Sequence, residues 1–221
     1  MNEQHLSLIS SLSRDLAPVS RPPKINRLAM VWFLLSAGYV IAVTGLFGDI
    51  RQGALTQLVT QPRFLLETVL GLAAIFWVSL LAFRSAVPAA LSRHFAAAGG
   101  VLMALWLSQY AIGLFSPALE PSTLGGRPHC WLETMIYALP VILAGHYLVR
   151  RYYPLRPVRT AMSIGLVAGM LPALYMQIAC MYNPPHILAF HIFPGLLMVA
   201  AGAGVAAVWR PRRGRAGGEP V

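Results

Sequence analysis

The chain has 221 residues, 57% of them apolar and only 11% charged, with 17 Lys+Arg against 7 Asp+Glu. A charged share this low excludes an ordinary soluble domain. The net charge of +10 would point to nucleic acid in a soluble protein, but here the basic residues lie between long apolar runs, so a membrane protein with no direct nucleic-acid partner is expected.

The first 27 residues form a cytoplasmic arm. Leu8, Ile9, Leu12 and Leu16 fall on one face of a short helix, with Ser7, Ser10, Ser11 and Arg14 opposite. Pro18 and then Arg21-Pro22-Pro23 end that helix and lead into the first apolar run. Such a helix suits either the inner leaflet, helped by Arg21, Lys24 and Arg27, or a cytoplasmic protein partner.

From residue 28 to 209 the pattern is that of a six-helix transmembrane domain. A bilayer core of about 30 Å needs about 20 mostly apolar residues. Six windows meet this: 28–47, 65–83, 95–115, 131–149, 160–181 and 187–208. Barrel strands would alternate instead. The fold class expected is therefore all-α, a polytopic bundle of six spans. Pro140, Pro172 and Pro194 lie inside three of them and are expected to kink their helices. The first run lacks a small-x-small exit and is expected to stay as an anchor rather than be cleaved.

Direction follows from the retention of Lys and Arg in the cytoplasm. With the N-terminus inside, the inner segments hold fourteen basic residues, Arg150, Arg151, Arg156 and Arg159 among them. The outer loops hold three: Arg51, Arg63 and Arg127. Both termini are therefore expected inside, and a bacterial inner membrane is the expected location. The tail from 210 to 221, rich in Arg, Pro and Gly, reads as a basic disordered flank.

Span four begins at Cys130 and span five ends at Cys180, with a short inner turn between the two spans. Counted from that turn, the cysteines stand 19 or 20 residues away, about 30 Å at 1.5 Å per residue, so they reach one height. On an oxidising outer face a reversible disulfide between them is within reach. His129, Glu133, Gln177, His186 and His191 are expected to support this layer, and Glu67 and Gln109 lie in the outer halves of spans two and three. Ionisable groups gathered at one depth of a bilayer point to a site. Three readings remain open for it: a redox pair or sensor, a structural polar layer, and a zinc or copper site. The ligands of the last would be His129, Cys130, Cys180, and His186 or His191.

Several pieces in order resemble the NrsF-like membrane anti-sigma factors, negative regulators of sigma F. They are Arg14-Asp15-Leu16-x-Pro18-Val19 in the arm, Pro62-x-Phe64 before span two, and Cys130-Trp131 at the top of span four. Arg150-Arg151 with Pro154-x-Arg156-Pro157 in the inner loop and Cys180 closing span five complete the set. The resemblance covers nearly the whole chain. It implies a protein that holds an extracytoplasmic-function (ECF) sigma factor at the inner face, with no cofactor, and releases it under stress. It further implies Cys130 and Cys180 as sensing residues and Leu8, Leu12, Arg14, Asp15 and Leu16 as the sigma contact. The rival reading from the residues is a small thiol oxidoreductase or metal transporter using the same outer layer. The chain has no C-x-x-C pair, P-loop, G-x-G-x-x-G or G-x-S-x-G, so no enzyme is expected.

Overall fold

The computed structural model describes residues 3–14, 24–152 and 154–208. Asp15 and Leu16, the prolines of the arm and the basic tail fall outside the described residues.

The described chain is helical. A short helix α1 (Glu3–Arg14) comes first, with its side chains exposed throughout. The long helices are α2 (Ile25–Phe47), α4 (Pro62–Ser85), α5 (Arg93–Gly113), α6 (Cys130–Val149), α7 (Pro157–Ala179) and α9 (Phe193–Val208). Between them lie α3 (Ala54–Thr60) and the single turn α8 (Pro184–Ile187), which runs through a π turn at Leu188–Ile192 into α9. Six of these segments are long and apolar enough to cross a membrane, and the chain is a multi-pass membrane protein.

Each span starts up to three residues earlier than the apolar windows suggest, because its first turn recruits residues that hydropathy discounts. Pro62, Pro157 and Pro184 occupy first helical turns, where the missing N–H costs nothing. Ser92 caps α5 by accepting from the Phe95 N–H at 3.2 Å. The helix α3 was not legible from hydropathy: seven residues are too few for a span.

Helix α7 is the axis of the bundle. Residues 167–174 are buried without interruption, Pro172 included, whereas the other spans turn a broad apolar face outward. The reason is local. Gly165 and Gly169 on α7 meet Gly195 and Gly202 on α9 with backbone against backbone. A Cβ on Gly169 would stand 2.0 Å from the Gly195 carbonyl oxygen, and one on Gly202 would stand 2.2 Å from that of Ala161. Such seams let helices approach closely where lipid offers no hydrophobic drive for association. Helix α6 packs against α7 in a different way: Gly145 accommodates Trp32 of α2 and Ile164 of α7.

Candidate Cys/His centre

Cys130 is the first residue of α6 and Cys180 ends α7, so the antiparallel pair delivers both thiols to one end of the bundle. Both are buried and free. The chain leaves Cys180 in an extended conformation and re-enters a helix at Pro184. There the Asn183 side chain accepts from the His186 N–H at 3.3 Å. This cap holds the His186 ring over the thiols: its Nε2 lies 3.3 Å from Cys130 Sγ and 3.7 Å from Cys180 Sγ.

His191 is the fourth member. On an α-helix, residues five apart point about 140° away from each other. The π turn at Leu188–Ile192 closes i to i+5 and brings His191 round toward His186, with ring centroids 5.0 Å apart. His191 is fully buried, and neither ring nitrogen has a hydrogen-bond partner among the described residues. One ligand atom from each of Cys130, Cys180, His186 and His191 lies within 4.8 Å of the other three. Two thiols and two imidazoles at this spacing match the donor set and number that zinc or copper takes. One of the two orphaned His191 nitrogens is what such an ion would satisfy.

The remaining residues of the expected layer have other partners. His129 is exposed at the cap of α6 and stands outside the four, while His186 and His191 both belong. Glu133 pairs with Arg127 at 2.8 Å, and Arg127 also donates to the Asp49 carbonyl oxygen at 3.3 Å, so this pair ties two loops together. Gln177 accepts from the Tyr110 hydroxyl at 2.6 Å and joins α7 to α5. Glu67 is bound by Arg63 at 3.2 Å. His146 lies at the opposite end of α6.

Arg51 was not singled out in the sequence, yet it is only 5% exposed. Its N–H donates to the Ala179 carbonyl oxygen at 2.9 Å, next to Cys180, and its Nη1 donates to Gln57 Oε1 at 2.5 Å. Burial pulls its guanidinium below the ordinary arginine value, and the charges of Cys180 and Tyr182 push back. Its lone position in the short segment between Gly48 and Gly53 was the one signal available.

The opposite end of the bundle carries the basic cluster. Arg150 and Arg151 are exposed, with their guanidinium groups 4.9 and 4.5 Å from the Tyr147 ring centroid. Arg156 is also exposed.

The family model for negative regulators of sigma F, NrsF, matches residues 12–210. The chain belongs to that family. No curated protein and no solved structure matches it. NrsF members are negative regulators rather than enzymes, and a sigma factor is the partner that the family's description implies. The matched stretch takes in both cysteines and both histidines of the centre.

Proposed function

We propose that this NrsF protein is an anti-sigma factor of the bacterial inner membrane. It holds an ECF-type sigma factor at its cytoplasmic face and releases it when the Cys/His centre on the outer face is oxidised or captures a soft metal ion. The match to the negative regulators of sigma F carries this reading. The fourteen-to-three distribution of basic residues supports the orientation, with the centre outside and the arm inside.

The sigma contact is assigned to α1 and the segment after it. Leu8, Ile9 and Leu12 are 57%, 58% and 62% exposed, an apolar stripe that suits a groove on a partner. Arg14 ends the described helix, and Asp15 and Leu16 follow in sequence. Arg150, Arg151 and Arg156 add a cationic rim at the same end.

The ligands of the centre divide between two bodies. Cys180, His186 and His191 follow α7 and lead α9, which the glycine seam holds together, whereas Cys130 belongs to α6. Forming a disulfide takes two electrons and two protons from the thiols, and an oxidant such as a peroxide accepts them and becomes water. A captured zinc or copper ion would be held by the same two sulfurs and one nitrogen of each imidazole, with the two thiol protons released to water. Either event draws Cys130 toward the α7–α9 pair and so moves α6. Helix α6 bears on Trp32 of α2, and α2 is the root of the arm. A coupling of about 1–3 kcal/mol between the two ends would change sigma affinity about 5- to 150-fold.

The test is affinity purification of the tagged protein from its own membranes, with and without prior oxidant or metal stress. A sigma factor present at rest and depleted after stress is the expected result. Its absence from both samples would overturn the proposal.

A further inference from the structure

The groove between the N-terminal end of α2 and the C-terminal half of α4 has the layout of a phospholipid site. It is an open groove of about 730 Å³, lined by Lys24, Ile25, Asn26, Arg27, Met30, Phe76 and Leu80. On α2, Lys24, Arg27 and Met30 recur every three residues and form one stripe. On α4, Phe76, Leu80 and Arg84 recur every four and form the facing stripe. The two stripes have the same polarity. Both end in cations, and both turn apolar toward the middle of the bundle.

Arg84 lies outside the lining but is tied to it through Asn26. Its Nε donates to Asn26 Oδ1 at 2.9 Å, and its guanidinium lies 4.1 Å from the Phe95 ring centroid. Phe76 is steadied from behind by an edge contact with Phe33 at 5.2 Å. Lys24 and Arg27 are exposed. The charge at this end is uncompensated within the bundle. Of the acidic residues in the described segments, Asp49, Glu67, Glu120 and Glu133 lie at the cysteine end, and Glu3 belongs to α1. A mouth of two lining cations, with Arg84 beside it, over an apolar channel at the end of two membrane-length helices complements one kind of molecule: an anionic headgroup with an acyl chain below it.

We infer that this groove binds an anionic phospholipid, its phosphate at Lys24 and Arg27 and its chain along Met30, Phe76 and Leu80. This does not depend on the sigma-factor reading. The bound lipid stands at the foot of the arm, at the N-terminal end of α2.

The test is native mass spectrometry of the full-length protein in detergent, titrated with phosphatidylglycerol or with phosphatidylcholine of the same chains. One phosphatidylglycerol per chain is expected to bind at least about tenfold more tightly than phosphatidylcholine. The double variant Lys24→Gln/Arg27→Gln should lose roughly thirtyfold of that affinity, since each headgroup cation is worth about fivefold. Arg156→Gln/Arg159→Gln removes the same charge outside the groove and should leave binding unchanged. Leu80→Trp fills the apolar half and should weaken both lipids. Equal affinity for the two lipids, no loss in Lys24→Gln/Arg27→Gln, or an equal loss in the Arg156/Arg159 control would each overturn the assignment. So would binding that appears only when residues 1–14 are removed, because α1 would then be the occupant.

Discussion

Cys130 Sγ stands 3.3 Å from His186 Nε2, a contact that joins the first residue of α6 to a one-turn helix 56 residues later. It ties α6 directly to the segment leading into α9 at this end. Whatever changes the thiol of Cys130 therefore changes what holds α6 to its neighbours.

Cys130→Ser and Cys180→Ser should each keep the sigma factor bound at rest and fail to release it under oxidant or metal stress. Reporter transcription in strains carrying each variant measures this. Wild-type induction in both would remove the centre from the signalling route.

His191→Phe keeps a buried ring of similar size and removes two nitrogens that have no partner among the described residues. Thermal stability without metal should hold or rise, since a buried polar group without a partner is unfavourable. Zinc affinity, read by competition with a chromophoric chelator, should fall at least about tenfold, the lower end of what even outer-shell changes cost. His129→Phe, at an exposed position outside the centre, should leave affinity unchanged.

Gly169→Ala puts a methyl group 2.0 Å from the Gly195 carbonyl oxygen, so α7 and α9 must move apart. A destabilisation of about 1–3 kcal/mol or more is expected, visible as a lower unfolding midpoint in detergent. Gly38→Ala, where nothing lies within 4 Å of the new methyl, should be neutral or slightly stabilising.

Leu8→Asp/Leu12→Asp alters side chains 57% and 62% exposed, so the bundle should unfold at the wild-type temperature. Sigma affinity should drop at least about tenfold if both leucines fill a partner's groove, the range for buried hot-spot residues. A pull-down with the purified sigma factor separates the two effects.

The six spans were legible because a bilayer enforces length and apolarity together, and each window overlaps a helix almost fully. The two cysteines were brought to one height by counting from the α6–α7 turn. What counting could not supply was rotation. His129 adjoins Cys130 in sequence but faces outward, while His191, eleven residues past Cys180, is turned inward by a π turn that no local pattern announces. Glu133 and Gln177 were placed at the right level but satisfy Arg127 and Tyr110 instead. Depth is one coordinate, and helix phase is another. The same limit hid the burial of Arg51 against Gly125, which its place in a short loop only hinted at. The glycine seam shows only in the backbone contacts, which single out α7 as the buried axis.

Three arginines offset four carboxylates at the cysteine end of the bundle, whereas the cations of the other end face no carboxylate of the bundle, and this imbalance also makes the folded molecule an electrical lever. A membrane energised with its interior negative exerts a force on such a gradient, worth about 2.3 kcal/mol for each elementary charge carried across 100 mV. With the cation-rich end in the cytoplasm, as proposed, the voltage of a living cell would favour that orientation, and a cell that loses its voltage would loosen that hold with every thiol still in place.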